Sequence, residues 1–174
     1  MVPSGHLLDE LDVSLLSALR EHPRVGAAEL ARVISVTRAT VQARLRRLEQ
    51  AGVVTGYGPD VDLTAAGFPV QAFVTLEISQ GALDDVTATL VEIPNVLEAY
   101  ATTGSGDVLC RIAAGSHEEL QSTLLKLTRS STLVRSTSVM VLSEIVRARV
   151  LPLLAGAARA GGNRAPAYRR SDQP

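Results

Sequence analysis

Residues 37–51 read TRATVQARLRRLEQA, and the interpretation of the whole chain turns on this stretch. At about 100° per residue, Val41, Leu45 and Leu48 fall on one stripe, while Ala39, Ala43, Arg46 and Gln50 project from the opposite side, with Gln42 and Arg47 at its margins. One face packs and the other is free to meet something outside. Thr37 is the expected N-cap, because its hydroxyl accepts from a free N–H of the first turn, and Gly52 is the expected residue beyond the C-terminus, because it tolerates the left-handed conformation. Between residues 38 and 47 stand four arginines and no acid, in a chain whose formal net charge is only -1. That local excess suits a phosphate backbone, although a charged stripe alone is usually no more than a solvated surface.

The segment just upstream shifts the balance toward nucleic acid. Within AAELARVI, residues 29–34 form a short helix with Leu30, Ala31 and Ile34 on one side, and the break SVT leads straight into the basic helix. Two helices joined by so tight a turn predict a helix-turn-helix, whose second helix enters the major groove by its N-terminal end. The candidate DNA-facing residues are Thr37, Arg38, Ala39, Thr40, Gln42, Ala43, Arg46 and Arg47; the small Ala39 and Ala43 let the helix sit deep. A first helix is expected over 9–22, with Leu11, Leu15, Leu16 and Leu19 on one side and Asp9, Glu10 and Asp12 in the first turn, where acids favour the helix dipole. Val53, Val54 and Tyr57 predict a short strand, a wing beside the reading helix, which Gly56, Gly58 and Pro59 break. The first domain thus spans residues 1–60, opening with a loose arm at 1–6, and a linker follows at 61–70.

Composition narrows the classes of function. A chain of 174 residues with 46% hydrophobic content can bury one core of ordinary size or two small ones. Aromatic content is 3% with no Trp, so cores are aliphatic and stacking platforms for single-stranded nucleic acid are not expected, which leaves duplex DNA as the nucleic-acid partner. The single Cys110 excludes an intrachain disulfide and a zinc cluster, and its apolar neighbours predict a buried thiol. No cofactor is expected. No N-terminal apolar run is long enough for a signal peptide or a membrane span, so the reading is a cytoplasmic, nucleoid-associated protein with no membrane partner. Residues 60–150 carry eleven acids against six bases, which places any DNA affinity in the N-terminal part.

From residue 69 the apolar period changes. QAFVTLEI alternates as a strand; GALDDVTATLVEI carries Leu83, Val86 and Leu90 at helical spacing; VLEAYATTG and DVLCRIAAG are two strands around a glycine turn. Ser116 and Glu119 form a capping box ahead of Leu120, Leu124 and Leu127, and LVRSTSVMVL is a fourth strand. The order βαββαβ predicts a ferredoxin-like domain over 71–153, so the fold class is α+β. Its helices cover one sheet face. Thr137, Val139 and Val141 lie opposite Met140 and Leu142, so apolar residues occupy both faces, and the second face is expected to be buried in a homodimer. VRARVLPLL is expected to add a last strand or turn, and the Gly-, Ala- and Arg-rich residues 154–174 to be a disordered tail.

A winged helix-turn-helix followed by βαββαβ resembles the Lrp/AsnC family of transcription regulators, with its C-terminal domain of the RAM type. The resemblance is carried by LDELDVSLLSAL, AELARVISVTRATVQARLRRLEQAGVVTGY, VLEAYATTGSGDVLCRI and STSVMVL in that order. It implies a homodimer assembling to a tetramer or octamer, paired reading helices on palindromic double-stranded DNA, and a small-molecule effector, an amino acid or related metabolite, bound between subunits. The family's loop pattern of Gly, two variable residues and Asp falls on Gly104-Ser105-Gly106-Asp107, which with Thr103 and Thr137 makes the implied effector site. A glycine turn exposes N–H groups to a carboxylate, and Asp107 can accept from an ammonium group. The plainer alternative is a hairpin turn with Asp107 bonded to its own loop. Gly106, where relatives are often bulky, is expected to widen the pocket, and Val139 stands where many relatives carry a second threonine. Ser35 occupies a turn position often held by glycine.

Two other functions fit the same pattern less well. Sirohaem decarboxylases are similar in fold, but His6, His22 and His117 fall in an arm, at a helix end and in a first turn, and none is near another base in the sequence. An architectural DNA-compacting protein without an effector is a variant of the regulator reading.

Overall fold

The computed structural model describes residues 8–128 and 132–160. In chain order the elements are α1 (Glu10–Glu21), α2 (Ala27–Val33), α3 (Arg38–Gln50), β1 (Val70–Ile78), α4 (Leu83–Val91), β2 (Val96–Ala101), β3 (Val108–Ala114), α5 (His117–Thr128), β4 (Leu133–Met140) and α6 (Leu151–Ala160). They divide into two compact units: the described residues up to Gly58 together with those from Arg147 onward, and Pro59–Val146. The arm at 1–6 and the stretch 161–174, expected as loose chain, lie outside the described residues.

The first unit packs α1, α2 and α3 around Leu15, Ala18, Leu30, Ala31, Val41 and Leu48. Its helix ends follow from local chemistry. Asp9 caps α1 in a reciprocal box with Asp12, and Thr37 caps α3 by accepting from the Thr40 N–H at 3.1 Å, as expected. At the end of α3, Gly52 takes φ +68° and a Schellman pair closes the helix, Gly52 N–H to Glu49 O at 3.0 Å and Val53 N–H to Leu48 O at 2.9 Å. The end of α2 uses the same motif, Ser35 N–H to Arg32 O and Val36 N–H to Ala31 O, but there the left-handed residue is Ser35 at φ +56°.

Two expectations for this unit are corrected. Val53, Val54 and Tyr57 form no strand: among the described residues none is found between 51 and 69, because no neighbouring segment supplies a ladder. Val54 instead packs against the helical core and the Tyr57 hydroxyl donates to Glu49. Residues 151–160, expected as the end of a strand and the start of a disordered tail, are the helix α6, which packs on α1. Leu151, Leu154, Ala155 and Ala158 are its half-buried stripe at helical spacing. Alanine is the best helix former, and Pro152 sits in the first turn, where its missing N–H costs nothing.

In the second unit the strands form one antiparallel sheet ordered β2-β3-β1-β4, the ferredoxin-like arrangement. Val70, Ala72, Val74 and Leu76 of β1 and Val108, Cys110, Ile112 and Ala114 of β3 point to the helices, where Val86 and Leu90 of α4 and Leu120 and Leu127 of α5 close the core. Cys110 is buried there, as expected, and burial pushes its thiol up to about 11. Among the described residues of this unit no helix covers the opposite face, and Phe73, Tyr100 and Val139 stay 43%, 56% and 63% exposed. Residues 61–70, expected as a linker, belong to this unit: Asp62 accepts from the Ala65 N–H at 3.0 Å and Phe68 N–H donates to Leu63 O at 2.7 Å.

The left-handed Ser35 is exposed and its φ favours glycine, so Ser35→Gly is expected to stabilise the protein by about 0.5–1 kcal/mol, the relief of Cβ strain outweighing the greater freedom of glycine when unfolded. Thermal denaturation checks this, and a lower Tm for the variant would contradict it.

Candidate nucleic-acid interface and ligand loop

Helix α3 sorts its residues into sectors. Val41 and Leu48 are buried and Leu45 half-buried, while Arg38, Ala39, Gln42, Ala43 and Arg46 are exposed and share one side of the helix. Thr37 and Thr40 are spent on the cap, their hydroxyls 2.9 Å apart. Arg38 and Arg46 enter no ion pair among the described residues.

The other two arginines behave differently. Arg44 Nη1 donates to both Asp9 oxygens and to Asp12 Oδ1, each at 2.7 Å, and Arg47 Nη2 donates to Asp12 Oδ2. Asp12 is 0% exposed. Its Oδ2 also accepts from the Asp9 N–H at 3.1 Å, so a buried carboxylate on α1 is satisfied by two guanidinium groups from α3. Burial of Asp9 works to raise its pKa, but the hydrogen bonds from Arg44 and the Asp12 backbone, with the Arg44 charge, outweigh it and hold the carboxyl below its ordinary value. The same bonds raise Arg44.

Arg47, expected on the DNA-facing side, therefore turns its guanidinium to α1. A sequence signal existed for the Asp12–Arg44 pair, though not for Arg47. Leu8, Asp12, Leu15 and Leu19 share one stripe of α1, and Val41, Arg44 and Leu48 share one stripe of α3; an acid and a cation each lie on an apolar stripe and satisfy one another.

In the second unit the loop between β2 and β3 carries Thr103, Gly104, Ser105, Gly106 and Asp107, and it is tied to the end of β1. Asp107 N–H donates to Leu76 O at 2.9 Å, Ile78 N–H donates to Asp107 Oδ2 at 2.8 Å, and the Thr102 hydroxyl donates to Gly106 O at 2.9 Å. The Asp107 side chain and N–H thus bond to the neighbouring strand, its carbonyl accepts from the Thr102 N–H of its own loop at 2.9 Å, and it remains exposed. Thr103, Gly104 and Ser105 are exposed beside it. Thr137 lies on the uncovered sheet face, opposite Thr75 of β1, whose other neighbour is Leu109.

Gly106 does not widen this region. It is buried, and a Cβ placed on it would lie 2.1 Å from Thr75 Cγ2, so the threonine methyl already occupies the space a side chain would need. His22 and His117 are exposed on separate units, and among the described residues no three His, Cys, Asp or Glu side chains are grouped to hold a metal ion. No helix among them is long and apolar enough to cross a membrane.

A helix-turn-helix unit with an outward cationic face, followed by a ferredoxin-like unit with a polar loop at one sheet end, defines the class of DNA-binding regulators that carry a ligand-binding domain. A family model described as winged helix-turn-helix DNA-binding matches residues 8–55, and one described as the Lrp/AsnC ligand binding domain matches residues 71–151. The chain is 31% identical to the HTH-type transcriptional regulator Rv2324 of Mycobacterium tuberculosis, over 80% of this chain and 95% of the relative. It is also 31% identical to the regulatory protein AsnC of Escherichia coli K12, over 79% and 91%. The solved structure of E. coli AsnC superposes with a TM-score of 0.78 at 29% identity, covering 84% of this chain and all of that one. A complex of the Neisseria meningitidis transcriptional regulator NMB0573 with L-Met superposes with a TM-score of 0.73 at 27% identity, covering 80% and 92%.

This chain belongs to the Lrp/AsnC family. It is a DNA-binding transcriptional regulator with a ligand-binding domain.

The contact at Gly106 predicts that Gly106→Ala destabilises the second unit by about 1–3 kcal/mol, the usual cost of overpacking. Adding Thr75→Ser, which deletes the obstructing methyl, should restore most of the loss. Denaturant unfolding of the two variants checks this; a double variant no better than Gly106→Ala would contradict it.

Proposed function

We propose that this regulator works as a homodimer joined through the uncovered sheet face, presenting two α3 helices to the major grooves of a palindromic duplex and binding an amino acid at the subunit interface beside residues 103–107 and Thr137. The observation that carries the DNA half is the division of arginines on α3: Arg38 and Arg46 stand outward without an ion pair among the described residues, next to Ala39, Gln42 and Ala43. A guanidinium in that place meets a phosphate or the edge of a guanine, and small neighbours permit close approach. Thr37 and Thr40 hold the helix end that enters the groove.

The dimer is supported by Phe73, Tyr100 and Val139 on the helix-free face, a more apolar surface than a solvated sheet carries. The effector is supported by the Gly104-to-Asp107 pattern, by exposed Asp107 at the end of β1, and by the L-Met complex of the Neisseria relative. An effector acts here by binding one arrangement of subunits more tightly than another, which alters the spacing of the reading helices; equal affinity for both would change nothing. Such a protein works in the cytoplasm, at the nucleoid, and larger assemblies are built by joining dimers.

Arg38→Ala and Arg46→Ala are each expected to weaken duplex binding by about 1–3 kcal/mol with the dimer and its Tm unchanged. Fluorescence anisotropy with a duplex from the protein's own upstream region measures this, and full affinity in both variants would overturn the DNA face. Asp107→Asn keeps an oxygen for the Ile78 N–H but removes the charge, so it should abolish amino-acid-induced shifts in Tm that the parent shows. A parent that no amino acid shifts overturns the effector site.

A further inference from the structure

The outward face of α3 is incomplete as a cationic surface, because two of its four arginines are bonded inward to an acid that water does not reach. Asp12 has no exposure, and both of its oxygens are engaged, Oδ1 by Arg44 and Oδ2 by Arg47 and the Asp9 N–H. Arg44 is held a second time by Asp9. A DNA phosphate that drew Arg47 away would leave Asp12 Oδ2 with the Asp9 N–H alone, so a buried carboxylate would lose its charged partner on that oxygen. The exchange of carboxylate for phosphate is therefore unfavourable even though the Arg47 side chain is 45% exposed and within reach of solvent.

Building on the reading that the outer side of α3 meets DNA, we propose that Asp12 is a positioning and specificity-setting residue. It fixes the rotation of α3 against α1 and withholds Arg44 and Arg47 from the phosphate backbone, so that of the four arginines on α3 only Arg38 and Arg46 are offered to DNA. Phosphate contacts add affinity without regard to sequence, and each one steepens the salt dependence of binding. Holding two guanidinium groups back lowers the sequence-independent background against which base contacts are read. Asp12 acts through the arginines and touches no DNA.

The test is the slope of log K against log salt for the full chain on a mixed-sequence duplex of about 30 base pairs, where each lost phosphate contact flattens the slope by about 0.9. Arg46→Gln is expected to flatten it by that amount per bound subunit. Arg47→Gln is expected to leave it at the parent value. Asp12→Asn, which removes the acid and keeps the shape, should steepen it and tighten binding to this non-specific duplex, whereas loss of a purely structural contact would weaken binding without steepening.

If Arg47→Gln flattens the slope as Arg46→Gln does, Arg47 is a phosphate contact and the proposal is wrong. If neither variant changes the slope, the DNA face of α3 is itself mistaken and the proposal falls with it. Should Asp12→Asn fail to fold, the comparison of Arg47→Gln with Arg46→Gln decides the matter.

Discussion

The buried carboxylate of Asp12 is the constraint on which the DNA-reading unit depends. A charge without solvent must be paired, and here the partners come from a helix more than thirty residues later, so satisfying Asp12 also determines how α3 lies on α1. Asp12 has three partners, Arg44, Arg47 and the Asp9 N–H, so the two helices are tied at several points rather than by one pair. The same bonds divide the arginines of α3 by role. Arg44 and Arg47 brace the fold; Arg38 and Arg46 are left to face outward.

The ligand-binding unit follows a different logic. A four-stranded sheet with helices on one side has a complete core on that side and an unfinished surface on the other, where Phe73, Tyr100 and Val139 lie. Polar order on this face is local: Arg111 donates to Glu98 at 3.3 Å and to Gln71 at 2.8 Å, and the Tyr100 hydroxyl donates to Glu98 at 2.8 Å. At one end of the sheet the loop 102–107 is held down by its bonds to β1, and the Thr75 methyl fills the room left by Gly106.

What could be read from the sequence is what local signals carry. Thr37 and Gly52 mark the ends of α3, Ser116 opens α5 by accepting from the Glu119 N–H, and alternation in 70–78 and 108–114 places the inward residues of β1 and β3 correctly. The capping box at α5 is only half as expected, since Glu119 turns to Gly115 N–H and Asn95 instead of back to Ser116. The features that escaped depend on contacts between distant segments. Asp12 is the first-turn acid that was expected, but its bonds to Arg44 and Arg47 of α3 are not visible in either helix taken alone. Gly106 looked like an opening because the Thr75 methyl comes from another strand. The alanine-rich residues 154–160 looked like the start of a tail, and 151–153 like the end of a strand or turn, because only packing on α1 shows that the leucine stripe is used.

The most direct measurement is a crystal structure of the protein with a bound palindromic duplex. The expected result is a two-fold dimer with α3 of each subunit in the major groove, Arg38 and Arg46 on bases or phosphates, and Arg44 and Arg47 still bonded to a buried Asp12. Arg44 and Arg47 released onto phosphates, with Asp12 opened to solvent, would contradict it.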